Sequence, residues 1–191
     1  AARVAAYQTG PIVKVLEAMQ PEGYWVKPGP GYGPKYKSMV WALQLLAQLG
    51  AHRKVALVGH FPFVDWLRER VQTLWVLELA PRPGDLPASA AVEIIPQANI
   101  VALTSMTLLN HTFDRLMALR RPDAQVMLLG PSTPLAPLLF ARGVGLLSGA
   151  VVEDIDAVLR GVSEGAGFRQ LHRLGVRLVT MTGNQGLEIP G

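Results

Sequence analysis

Six short apolar runs recur between residues 53 and 182, and segments with helical spacing separate them. The runs are Val55–Val58, Leu74–Leu79, Ile100–Leu103, Val126–Leu129, Val144–Leu147 and Arg177–Thr180. They are continuous rather than alternating, which is the pattern of strands covered on both faces. The intervening helical segments fall near Phe63–Val71, Ala88–Ile95, Leu108–Leu119, Ala136–Ala141 and Asp154–Val162, with a short Phe168–Leu174 before the last strand. Strand–helix repetition with short links implies right-handed crossovers. The expected fold is therefore α/β: a Rossmann-like, doubly wound, mainly parallel sheet of about six strands with helices on both faces.

Half of the 191 residues are hydrophobic and 17% are charged, enough apolar surface to bury a core. No apolar run reaches the ~20 residues of a membrane span, so no membrane partner is expected. Cysteine is absent, which excludes disulfides, thiolate metal sites and a cysteine nucleophile. The first residues carry no signal-peptide pattern, and a cytoplasmic location is the expectation. Net charge is +4, but the basic residues fall in scattered pairs such as Arg53-Lys54 and Arg120-Arg121. Nucleic-acid binding needs clustered charge, so it is not expected.

The first 52 residues differ from the rest. Ala1–Gln20 has helical spacing interrupted at Gly10-Pro11. Pro21–Lys37 contains four prolines and four glycines, which forbid regular structure. It reads as a linker, or as a lid whose Tyr24, Trp25, Tyr32 and Tyr36 close over a ligand or partner. Ser38–Leu49 reads as an amphipathic helix capped by Ser38 and stopped by Gly50. The expected organisation is a helical remnant of an N-terminal domain plus linker over 1–52, a Rossmann-like domain over 53–182, and a tail over 183–191.

In parallel α/β sheets ligands bind beyond the carboxyl ends of the strands, so candidate residues come from those tips. The first tip is Gly59-His60-Phe61-Pro62. Glycine permits a close backbone turn, and His60 is the candidate catalytic residue and metal ligand. G-x-G-x-x-G is absent, and Phe61 and Pro62 would crowd a pyrophosphate. The second tip is Glu78, 19 residues after Gly59; it could hold ribose hydroxyls or simply face solvent. Asp85, in the stiff Pro81–Pro87 turn, reads as a turn or capping residue. At the third tip, Thr104 and Ser105 could cap a helix or contact an anion, and Asn110 could point back into the crevice. The fourth tip is Gly130-Pro131-Ser132-Thr133-Pro134. Its hydroxyls are either helix caps or the second contact of a ligand shared with Gly59–Pro62.

The stretches VALVGHFPF, LELAPRPGDLPASAAVEIIPQANIVALTSMTLLNHT, LLGPSTPLAPLLFARGVGLLSGAVV and VLRGVSEGAGFRQL resemble the putative heavy-metal chelation domain family. The resemblance covers about residues 53–181. The loops G-H-F-P and G-P-S-T-P-L-A-P are its most specific part. It implies a Rossmann-like domain preceded by a domain similar to the enolase N-terminal fold, with a site in the cleft between them. This chain holds almost none of that first domain, so it is expected to show one side of the cleft. The family name implies a metal, a metal–tetrapyrrole or a metallated small molecule as ligand.

Three functions follow. The first is a metal- or small-ligand-binding protein using a divalent transition metal, with His60, Glu78 and Asp85 as an N/O donor set. The second is a nucleotide or S-adenosylmethionine-type binder using Glu78. The third is a non-catalytic assembly module or homo-oligomer. G-x-S-x-G, the P-loop lysine and H-E-x-x-H are all missing, which removes common hydrolase, NTPase and zinc-protease readings.

Overall fold

The computed structural model describes residues 40–183. The expected helices of 1–20, the 21–37 linker or lid, the Ser38 cap and the tail from 184 lie outside the described residues.

The chain enters through α1 (Val40–Gly50), β1 (Lys54–Val58), α2 (Val64–Arg68) and β2 (Thr73–Glu78). A two-residue β3 (Leu86–Pro87) leads through a 3-10 turn into α3 (Ala91–Ile94), and a second 3-10 turn leads to β4 (Ile100–Thr104). Then come α4 (Met106–Leu109), α5 (Phe113–Leu119), β5 (Gln125–Leu129), α6 (Pro137–Ala141) and β6 (Leu146–Val152). The last elements are α7 (Ile155–Ser163), α8 (Phe168–Arg173) and β7 (Val176–Thr182).

One sheet runs in the order β3-β2-β1-β4-β5-β6-β7. Every neighbouring pair is parallel except β6 and β7. The first six strands follow the doubly wound order, which reverses direction between β1 and β4. The fold is thus α/β with a mainly parallel sheet, as the apolar runs predict. Seven strands form rather than about six, because β3 is too short to show any periodicity.

Alternate residues of each strand enter opposite core layers, since successive side chains point to opposite faces. Val55, Leu57, Ile100, Ala102, Met127 and Leu129 pack against Leu43, Leu46 and Leu49 of α1 and Leu67 of α2. Ala56, Val101, Leu103, Val126 and Leu128 pack instead against Ile95, Phe113, Leu116 and Leu139. The α1 helix, read from sequence with the 1–52 segment, is thus built into the first layer. No helix among the described residues is long and apolar enough to cross a membrane.

Several boundaries differ from expectation for local reasons. The helix expected over Leu108–Leu119 is two helices, broken where His111 takes φ 59°. Asn110 makes that break favourable: its Oδ1 accepts from the Thr112 backbone N–H at 3.2 Å and from Thr112 Oγ1 at 2.7 Å. The fifth expected strand starts later and runs longer, over Leu146–Val152. Gly149 lies inside this strand. A side chain there would come within 2.5 Å of the Thr133 carbonyl, so the glycine serves close packing.

Leu57 is 0% exposed in the interior strand β1, whereas Leu138 is 70% exposed. Leu57→Ala should cost about 2–5 kcal/mol. Leu138→Ala should stay within about 0.5 kcal/mol. Urea unfolding of both variants checks the contrast, with equal slopes and separated midpoints expected.

Candidate functional site

The reversal of strand order between β1 and β4 opens a crevice at their carboxyl ends. Gly59 turns there with φ 103°, and its N–H still donates to Leu77 O on β2 at 2.9 Å. A Cβ on Gly59 would sit 3.1 Å from Thr104 Cγ2. The tips of β1 and β4 are therefore in contact, and only glycine meets both the space and the backbone conformation.

On one side of this contact lie His60, Glu78 and Asp85. The His60 N–H donates to Glu78 Oε2 at 2.8 Å, and the Leu79 N–H donates to Glu78 Oε1 at 2.7 Å. Both carboxylate oxygens of Glu78 thus hold backbone turns. His60 Nδ1 lies 2.8 Å from Asp85 Oδ2. The Asp85 side chain is only 1% exposed and that of His60 is 18% exposed. An ionised carboxylate can only accept, so Nδ1 carries the hydrogen and Nε2 keeps its lone pair in the neutral ring.

Local chain chemistry delivers Asp85 to this position. Arg82-Pro83-Gly84-Asp85 closes a tight turn, with Gly84 at φ 89° and the Asp85 N–H donating to Arg82 O at 2.9 Å. Proline then glycine at the central positions is the chemistry of a type II turn. The Arg82 N–H in turn donates to Asp85 Oδ2 at 3.1 Å. Two arms hold the turn in place: β3 pairs with the end of β2, and Arg68 Nη2 of α2 donates to Gly84 O at 3.3 Å. Asp85 is thus a turn residue, as its sequence context suggests, and also the partner of His60. Its Oδ1 is buried without a hydrogen-bond partner.

The other side of the crevice is made of hydroxyls. Ser105 Oγ and Ser132 Oγ lie 2.9 Å apart, tying the tip of β4 to the tip of β5. Thr133 is buried, and Gly130 turns with φ 129°. Neither Ser132 nor Thr133 caps a helix: α6 begins at Pro137 with Ala136 before it. Below these tips, a small, partly open pocket lies between α1 and the ends of β5 and β6. Phe61, Gly130, Pro131 and Ser148 line it; His60 does not. The two proline-containing loops therefore do share a pocket, but through Phe61. Pro62 is exposed outside that lining.

The expected contact from Asn110 is not assembled. Asn110 is exposed at the end of α4 and its side-chain oxygen is engaged by Thr112. The helix after Gly59 starts only at Val64 and has five residues, too short for a built anion site at its amino end.

The proposed N/O donor set of His60, Glu78 and Asp85 also does not form. Among the described residues no three His, Asp or Glu side chains are placed to hold a metal ion. The reason is geometric. Asp85 occupies the Nδ1 side of the imidazole and Glu78 binds its backbone, so neither can join Nε2 around an ion. With no thiolate in the chain, the described residues do not fit a bare heavy-metal ion. The exposed Arg121–Asp123 ion pair lies before β5, away from the crevice. Its hydrogen bond raises the arginine's pKa and lowers the aspartate's.

The His60–Asp85 contact makes a direct prediction. Long-range proton–nitrogen NMR of the neutral ring should show Nδ1 protonated. Asp85→Ala should move the ring toward the Nε2–H form and cost about 1–3 kcal/mol. A wild-type ring protonated at Nε2 would contradict the assignment.

Comparison with known proteins gives a consistent identity. The model of the DUF364 family, described as "Putative heavy-metal chelation", matches residues 42–181. No functionally curated protein matches the chain. Among solved structures, the chain is similar to a DUF364-family protein of unknown function from Desulfitobacterium hafniense DCB-2. The identity is 36% and the TM-score 0.62, over 72% of this chain and 55% of that one. A DUF364-family protein of unknown function from Pyrococcus horikoshii shares the fold at 20% identity and TM-score 0.61, over 74% of this chain and 58% of that one. The chain thus spans little more than half the length of these relatives. With most of its length matched, this chain belongs to the DUF364 family, putative heavy-metal chelation.

Proposed function

We propose that this chain binds a metal that arrives already chelated by a small molecule, with His60 Nε2 supplying the protein's bond to it. The observation that carries this reading is the contact between His60 Nδ1 and the buried Asp85 carboxylate. Metal-ligating histidines commonly donate their other N–H to a carboxylate, which fixes the tautomer and raises the basicity of the free nitrogen. A single well-prepared imidazole without a surrounding cage suits a ligand that brings its other donors with it. The family description points to metal chelation, and the absence of a three-residue cluster among the described residues favours complex over bare ion. The metal is cargo in this reading, and no chemical step is assigned to it.

The test is titration of the protein with Ni²⁺ or Co²⁺, first as aquo ions and then as citrate chelates, followed by calorimetry and visible absorption. The chelate should bind more tightly than the ion and should change its absorption band. His60→Ala should abolish the band change. Asp85→Asn should weaken binding by about 10–100-fold through loss of the outer-shell partner. Equal affinity for ion and chelate, or chelate binding unchanged in His60→Ala, would overturn the proposal.

A further inference from the structure

We infer that the carboxyl end of β5 is an oxyanion subsite, in which Ser105, Ser132 and Thr133 donate hydrogen bonds to an acceptor held beside the Gly130 turn. This deepens the reading above by naming the second group its ligand carries, but the subsite stands on the hydroxyls alone. The point that a Cβ on Gly130 would occupy lies 3.0 Å from Ser105 Oγ and 4.0 Å from Thr133 Oγ1. Both residues are 4% exposed. Thr133 Oγ1 is fully buried and has no hydrogen-bond partner. An unpaired buried hydroxyl is unfavourable, and a valine would fill the same space without that cost. The hydroxyl is explained if a bound group accepts its hydrogen.

A second donor is present beside it. In the Ser105–Ser132 pair one hydroxyl donates to the other, so the hydrogen of the accepting hydroxyl remains available. The occupant is an acceptor for chemical reasons. Neither the Thr104–Thr112 stretch nor the Gly130–Pro137 loop contains an acidic residue that would repel an anion. Neither contains Lys or Arg, so the donors are neutral and their hold on an anion is moderate. Such a subsite selects the carboxylate or phosphate of a larger ligand rather than capturing a free anion tightly. The loop itself is held stiffly: Pro131 and Pro134 flank the hydroxyls, and the Thr133 carbonyl packs on Gly149 of β6 with no space for a side chain there. The crevice therefore has two unlike ends, an imidazole–carboxylate pair beside β2 and β3 and a hydroxyl cluster beside β5.

The test titrates inorganic phosphate, and acetate in parallel, into the full 191-residue chain without metal at constant ionic strength. Thermal shift and amide NMR are the readouts. Saturable binding of one of them is expected, and the tighter one identifies phosphate or carboxylate as the group recognised. Thr133→Val and Ser105→Ala should each weaken it about tenfold or more, the effect of losing one hydrogen bond to a charged group. Thr133→Val should also melt no lower than wild type without ligand, because it removes an unpaired hydroxyl. Ser163→Ala, a distant exposed hydroxyl, should keep the wild-type response. No saturable binding of either anion, or binding unchanged in both site variants, would overturn the subsite. If neither anion binds while the metal chelate does, only this inference falls. If the anion binds and the chelate does not, the subsite stands and the metal reading falls.

Discussion

The central strands of this protein are buried on both faces, and that constraint places its polar chemistry. Val55, Ala56, Leu57, Ile100, Ala102, Leu103, Met127 and Leu128 have no exposed surface. A polar side chain in the middle of such a strand would lose water on either face without a partner. Among the described residues, the buried polar ones are Ser105, Thr107, Thr133 and Ser148. Three of them follow the carboxyl ends of β4 and β5, and Ser148 pairs with Leu129 at the end of β5. Polar groups therefore collect at one edge of the sheet. The reversal of strand order between β1 and β4 opens that edge.

The two sides of this crevice are built by different means. The His60 side depends on a lateral reach: a Pro-Gly turn and a two-residue strand carry Asp85 across the end of β2 until its carboxylate meets the imidazole. The hydroxyl side depends on short connections, since Ser105 directly follows β4 and Ser132 lies three residues beyond the end of β5. Glycine at positions 59 and 130 lets both loops approach closely, each with a backbone angle that other residues rarely adopt. Neither half makes a metal cage. Together they place an imidazole–carboxylate pair and a set of hydroxyls at one edge of the sheet.

Much of this was legible in residue order. Continuous apolar runs announced a parallel sheet, and glycine, histidine and hydroxyls directly after those runs named the tips. What escaped was short or long-range. The β3 strand has two residues, below the length at which any period exists. The Asn110 side chain ended a helix that the apolar spacing carried through to Leu119. Asp85 could be read as a turn residue or as one donor beside His60 and Glu78, but not as the partner of His60 Nδ1, because that contact spans 25 residues. No local pattern encodes that distance.

The sequence by itself determined the fold class and the strand tips, because burial on both faces leaves a pattern in the order of apolar residues. It also excluded thiolate chemistry, since no cysteine is present. Only the tertiary structure decided which tip residues cooperate. It set Asp85 on the Nδ1 side of His60, engaged both oxygens of Glu78 with backbone N–H groups, and engaged the Asn110 side-chain oxygen with Thr112. It also left Thr133 buried without a partner. Those outcomes depend on strand order and on where each loop lands. Both are fixed by packing between elements far apart in the chain rather than by neighbours along it.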